Sequence, residues 1–214
     1  MPKDLYTVHT VFEPELSEPI LIAGLPGIGN VGKLTSDMLI RFLNAKRFAE
    51  LYSPYFSNFA IVDKHGLSYL PRYEFYTSPL SSPDVIILTG DMQPMFQYGK
   101  AYYEINGRAL DVSQRFGCNM VVTLGGIPST RRGEIHLACT SRETRDLLTR
   151  KYDVKSYNGR IVGAAGLLPG LAKLRGLEAI SLLVTSRPFI QDKRAALALF
   201  NFLIKAFGVR KAEI

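Results

Sequence analysis

From Ile20 to Leu34 the chain reads Ile-Leu-Ile-Ala-Gly-Leu-Pro-Gly-Ile-Gly-Asn-Val-Gly-Lys-Leu, and no other stretch limits the fold so tightly. The pattern predicts a buried strand over 19–23, a glycine turn over 24–32 and a helix from Val31 onward. Glycines at 24, 27, 29 and 32 permit positive φ values and close approaches that a Cβ forbids. A strand that feeds such a turn into a helix aims free N–H groups and the positive end of the helix dipole at one spot. That spot suits an anion or a tightly packed partner backbone.

Two phosphate motifs nearly fit. Gly27-Ile-Gly-Asn-Val-Gly32 satisfies G-x-G-x-x-G, and Glu50 lies roughly 20 residues on, where a ribose-binding acid belongs. The same residues give G-x-x-x-x-G-K, but Leu34 stands where a P-loop needs Ser or Thr, and Thr35 comes one place late. The two motifs exclude one another. Either Gly27, Gly29, Asn30, Gly32 and Lys33 hold a ligand, or the glycines serve close packing alone.

Beyond the turn, the helix keeps Val31, Leu34, Met38 and Phe42 on one stripe to about Asn44. Strands are predicted over 5–12, 46–52, 84–89, 118–124, 134–140 and 177–185. Helices are expected over about 100–116, over 142–152 with Ser141 as N-cap, and from Asp192 to a stop at Gly208. A further short helix follows a second glycine turn and stops at Gly176. Apolar strands that alternate with helical patterns argue an α/β fold with a doubly wound, mostly parallel sheet. No linker divides the 214 residues, so a single domain over 1–214 is expected.

Between Phe48 and Tyr76 the chain carries nine aromatic rings, Tyr69, Tyr73 and Phe75 among them. Residues 58–63 and 67–76 look like a hairpin turned at Lys64-His65-Gly66, within a projecting segment at about 55–78. A projecting hairpin buries only one face in its own core. Part of the ring set, with Tyr69, Tyr73 and Phe75 foremost, is therefore expected at an oligomer interface.

Charge is uneven. Residues 1–107 carry 8 Lys and Arg against 11 Asp and Glu, whereas 108–214 carry 18 against 8. The basic residues are scattered, with no dense run and no nucleic-acid module, so a solvated basic surface, or one that meets an acidic protein partner, is favoured over nucleic acid. No apolar run reaches the ~18 residues a membrane span needs, and the start lacks the apolar core of a signal peptide. Cys118 and Cys139 fall in strand patterns without metal-ligand spacing, as reduced thiols of a cytoplasmic protein would.

Gly24-Leu-Pro-Gly-Ile-Gly-Asn-Val-Gly32, Thr89-Gly-Asp-Met-Gln-Pro94, Thr123-Leu-Gly-Gly126 and Gly163-Ala-Ala-Gly-Leu-Leu-Pro-Gly170 occur in that order. Together they resemble the proteasome assembly chaperone 2 family in its archaeal branch, some members of which carry an ATP-grasp-like label. The resemblance implies a three-layer α/β/α sandwich similar to the nucleoside phosphorylase/hydrolase-like fold. It also implies a homo-oligomer that binds proteasome α subunits and needs no cofactor. Certain members dock through a C-terminal hydrophobic–Tyr–any tripeptide. Glu213 stands where the Tyr would be, so direct docking of a tail over 209–214 is not expected.

A nucleotide- or nucleoside-binding protein, or an enzyme, that uses the glycine loop 24–33 and the loop 89–94 remains the alternative. Ligands of open α/β sheets bind beyond the carboxyl ends of the strands. There the loops 24–32, 89–94 and 125–129 offer Asn30, Lys33, Asp91, Gln93 and Ser129. One carboxylate, one ammonium and two amides suit a nucleotide or nucleoside. However, no G-x-S-x-G or H-E-x-x-H motif is present, and His9, His65 and His136 lack metal-ligand spacing.

Overall fold

The computed structural model describes residues 6–79, 81–95 and 99–211. In chain order the strands are Thr7–Thr10 (β1), Ile20–Gly24 (β2), Lys46–Tyr52 (β3), Ile61–Val62 (β4), Ser68–Tyr69 (β5), Tyr73–Thr77 (β6), Ser81–Ser82 (β7) and Val85–Gly90 (β8). Met120–Pro128 (β9), Ile135–Cys139 (β10), Lys155–Ser156 (β11), Glu178–Ser186 (β12) and Arg210–Lys211 (β13) follow. The helices are Val31–Phe42 (α1), Gly99–Arg115 (α2), Arg142–Lys151 (α3), Ala164–Leu174 (α4) and Lys193–Phe207 (α5).

Local signals set the helix ends. Ser141 accepts a hydrogen bond from the Thr144 N–H at the start of α3, and Asp192 accepts one from the Ala195 N–H at the start of α5. Gly208, at φ 66°, ends α5 in the left-handed conformation that glycine adopts freely.

Nine strands form one sheet in the order β1-β3-β6-β8-β2-β9-β12-β10-β11. The centre, β8-β2-β9-β12, is parallel throughout. Its strands are apolar on both faces because both faces are covered. Leu21, Ile86 and Val121 point toward α2 and α4, where they meet Ile105 and Leu168. Their neighbours Ile22, Ile87 and Val122 point the other way, toward Leu39 of α1 and Leu199 of α5.

On one side of this centre β6, β3 and β1 add antiparallel strands, and on the other β10 does so. The sheet is thus mixed, and the expected parallel arrangement holds at its heart and in the short outer pair of β10 and β11. Strand β9 also continues past Leu124 through Gly125-Gly126 to Pro128, held along its length by β12.

The aromatic stretch differs from its expected form. Only the two-residue strands β4 and β5 make the outlying hairpin, while β6 belongs to the main sheet between β3 and β8. Tyr73 and Phe75 are accordingly fully buried, Phe75 beside Phe48 and Tyr73 beside Phe56. They are core residues, and their rings cannot be the expected exposed contact surface. Tyr69 is half-buried. The large side chains left outside are Phe59, Val62, Leu67 and Leu70.

The segment after α5 is not free from Gly208 onward. Val209 is buried, and β13 pairs antiparallel with β7. Glu213 and Ile214 lie outside the described residues.

Candidate functional site

The loops after β2 and β8 meet beyond the carboxyl ends of the parallel strands, where they face residues 125–128, which belong to β9 and not to the expected loop; few of the side chains share a space. After Gly24 the chain makes a 3-10 turn over Ile28–Asn30, with Gly29 at φ 60° and Asn30 at φ 52°. Its peptide groups are used within the protein. The Asn30 N–H donates to the Gly27 carbonyl at 2.8 Å, the Gly29 N–H to Pro188 at 3.5 Å, and the Asp192 N–H to the Gly29 carbonyl at 2.8 Å. The β12–α5 loop therefore sits on the glycine turn.

Close approach demands glycine at 29 and 32. A Cβ on Gly32 would lie 2.7 Å from the Leu124 carbonyl oxygen and 2.9 Å from that of Leu25. A Cβ on Gly29 would collide with Ser186 Oγ. Helix α1 thus seats directly on the backbone of β9. Thr35, the residue nearest to a P-loop hydroxyl, donates to the Val31 carbonyl at 2.8 Å and to the Ala196 carbonyl at 3.1 Å. It faces α5.

Glu50 cannot serve a nucleotide on this turn. It lies in β3, which β6 and β8 separate from β2, and three strand spacings amount to roughly 14 Å. Burial leaves it only 6% exposed, inside a network with Arg47 and Arg72.

The remaining polar candidates divide. Lys33 pairs with Asp37 on its own helix at 2.7 Å. Asp91 accepts from the Arg72 N–H at 3.3 Å and from the Tyr69 hydroxyl at 3.5 Å. Burial, reinforced by the nearby charge of Glu74, raises the Asp91 carboxyl above its usual range. Gln93 straps two loops together: its amide nitrogen donates to the Pro26 carbonyl at 2.6 Å, and its amide oxygen accepts from the Ala164 N–H at 2.9 Å.

Beside that strap opens a cavity of about 530 Å³. Gly27, Gly32 and Gln93 line it, whereas Gly29, Asn30, Lys33, Asp91 and Ser129 do not. Tyr102, Tyr157, Arg160, Ile161 and Val162 line it as well. Sequence reasoning passed over these five. The one signal near them is the second glycine turn, where Gly163 at φ 79° starts α4 directly against Gln93.

None of the histidines lines this cavity. His9 approaches Glu50 at 3.4 Å, His136 packs edge-on to Tyr157, and His65 occupies the β4–β5 turn. Burial pushes the Cys139 thiol up to about 11 and also raises Cys118. No helix is long and apolar enough to cross a membrane among the described residues.

This architecture, a mixed sheet with a parallel heart and a glycine turn seated on it, defines a class of α/β proteins with known members. The chain belongs to the PAC2 family, which matches residues 21–211. An uncharacterised protein of Methanocaldococcus jannaschii is 31% identical over 195 residues, covering 89% of this chain and 74% of its own. Among solved structures, Pyrococcus furiosus PbaB, described as an archaeal proteasome activator, superposes with a TM-score of 0.88 at 38% identity. The match covers 98% of this chain and 90% of PbaB. Pyrococcus furiosus PbaA, described as an archaeal homolog of proteasome-assembly chaperone, gives a TM-score of 0.78 at 24% identity and covers 94% and 82%. An ATP-grasp-like label gains no support from these likenesses.

Proposed function

We propose that this protein acts by binding other proteins, with the proteasome or its α subunits as clients, and does not catalyse a reaction. The likeness to PbaB carries this reading, because it extends over nearly the whole chain. The rim chemistry agrees with it. Lys33 pairs with Asp37 along its own helix, Gln93 spends its amide on two loop backbones, and the glycine turn braces a neighbouring loop. No nucleotide is needed.

The braced loop supplies a binding face. Phe189 is 96% exposed and Ile190 half exposed, with Arg187, Lys193 and Arg194 also exposed around them. An apolar tip in a basic surround suits an apolar socket rimmed with carboxylates. Co-elution with isolated α subunits and with assembled core particle is the test. Binding to either, weakened at least tenfold in Phe189→Ala, is expected. Absence of binding to both at tens of micromolar would refute the proteasome reading.

We also propose a homo-oligomer in the cytoplasm, with the β4–β5 hairpin as the contact. Phe59, Val62, Leu67 and Leu70 are each more than half exposed there, which supports a buried role in an assembly. Light scattering should give a mass several times 23.8 kDa, reduced to that of one chain by paired Leu67→Glu and Leu70→Glu changes. A closer kinship with the nucleoside phosphorylase/hydrolase-like fold belongs to the same proposal, supported by the parallel heart between two helical layers.

A further inference from the structure

We propose that the cavity behind Gln93 binds an amphiphilic carboxylate, with its apolar body inside and its carboxylate at Arg160. This inference stands independently of the proteasome reading. The size is that of sites that enclose small organic ligands. The wall chemistry narrows the class.

Leu25, Pro26, Ile161 and Val162 are among the apolar residues that line the cavity. Two of the polar side chains that line it are already engaged: the Gln93 amide is bonded at both ends, and the Tyr157 hydroxyl donates to the Arg160 carbonyl at 3.2 Å. A sugar or nucleoside would find few partners for its hydroxyls, and burying unpaired polar groups is costly.

Among the described residues that line the cavity Arg160 alone is charged, and it makes no ion pair with any described residue. One guanidinium matches one carboxylate, which its planar fork grips with two hydrogen bonds. A phosphate ester or nucleoside polyphosphate would bring charges that nothing in this wall neutralises.

Gly27 adds a second, independent observation. At φ −174° its backbone is extended and open to any residue. A Cβ there would meet only Gln93 Nε2, at the ordinary contact distance of 3.8 Å. Neither conformation nor packing calls for glycine at 27, in contrast to 29 and 32. What a side chain at 27 would do is enter the space that Gln93 bounds. Its absence leaves the cavity open.

The ligand chemistry has two sources, a free acid or a chain terminus that ends in an apolar residue. Isothermal titration with decanoate, 1-decanol and a Leu-Leu-ending hexapeptide, with a free or amidated end, separates them. Decanoate or the free-acid peptide should bind once per chain, and whichever binds tighter names the source. The uncharged counterpart should bind at least tenfold more weakly. Arg160→Gln, an exposed change, should erase that difference. Gly27→Phe should abolish binding at an unchanged melting midpoint. The proposal fails if neither acid binds below 1 mM (about 4 kcal/mol). It also fails if the uncharged forms bind equally, or if a folded Gly27→Phe variant binds as wild type does.

Discussion

The parallel heart and the antiparallel wing of the sheet solve the same burial problem in opposite ways. In β8, β2 and β9 both faces are apolar, because helices cover both. In β3 and β6 only one face is. Phe48 and Phe75 pack toward α2, whereas Glu50 and Glu74, on the opposite face, are held by arginines. Arg47 reaches Glu74 at 2.6 Å and Glu50 at 3.1 Å, and Arg72 reaches them at 2.9 and 3.3 Å. Tyr52 and Tyr76 donate to the remaining carboxylate oxygens. Where no helix covers the sheet, a hydrogen-bonded ion network covers it. The heart depends on shape, the wing on pairing.

Breaking the shape should cost most. In Gly32→Val the new Cβ meets two backbone carbonyls that belong to the sheet and its turn, so neither can step aside. A loss of about 4 kcal/mol is expected from such overpacking on a rigid backbone. Gly27→Ala, in the same turn, should stay within about 0.5 kcal/mol. Urea denaturation of both reads the contrast directly. Equal effects would mean that α1 does not seat on β9 as described.

Breaking the pairing should cost somewhat less. Glu74→Ala leaves Arg47 and Arg72 with one carboxylate between them, and removal of one partner from a buried ion pair costs about 3 kcal/mol. The pH dependence sharpens the point. Burial alone would raise the Glu74 carboxyl, but hydrogen bonds and charge from Arg47 and Arg72 outweigh it and leave it lowered. Its stabilisation is therefore full above the ordinary carboxylate range and lost as pH falls through the lowered value. Wild type and Glu74→Ala should converge in acid. Asp91 has the opposite sign. Its raised carboxyl favours the folded state most below the ordinary Asp range, and that contribution fades as pH rises through the raised value. Asp91→Asn should gain stability over wild type at neutral pH and lose the gain in acid. Denaturation curves at several pH values check both.

The same contrast decides what the sequence could reveal. The heart was legible because its signals are local. Val85 to Leu88 is a continuous apolar run, and Ser141, Asp192 and Gly208 mark helix ends by their own chemistry. In the wing, Glu50 and Glu74 acquire their meaning only from strands that pair across some twenty-four positions of chain. Read along the chain, their alternation with rings resembles a two-faced hairpin at the surface. The cavity was half legible. Gly27 and Gln93 stood in recognisable loops, but Arg160 and Val162 reach the same space from a segment about seventy residues beyond Gln93.

The smallest expected effect tests the boundary between the two regions. Tyr73 sits at the end of β6, opposite Gly90 of the heart and Leu51 of the wing. Its ring packs on Phe56 at 5.3 Å, and burial pushes its phenol well above the usual range. The ring belongs to the shape-dependent side, yet its hydroxyl is buried without a hydrogen-bond partner among the described residues. A buried, unpaired hydroxyl costs about 1–3 kcal/mol in desolvation, against a small loss of contacts when one oxygen is removed. Tyr73→Phe should therefore be neutral or stabilising by about 1 kcal/mol, where most core changes destabilise. Because the ring is wholly inside the chain, the same variant should leave the mass in light scattering unchanged. A loss of stability above 1 kcal/mol would show that the hydroxyl has a partner, such as an ordered water. Tyr73 would then belong with the polar network of the wing.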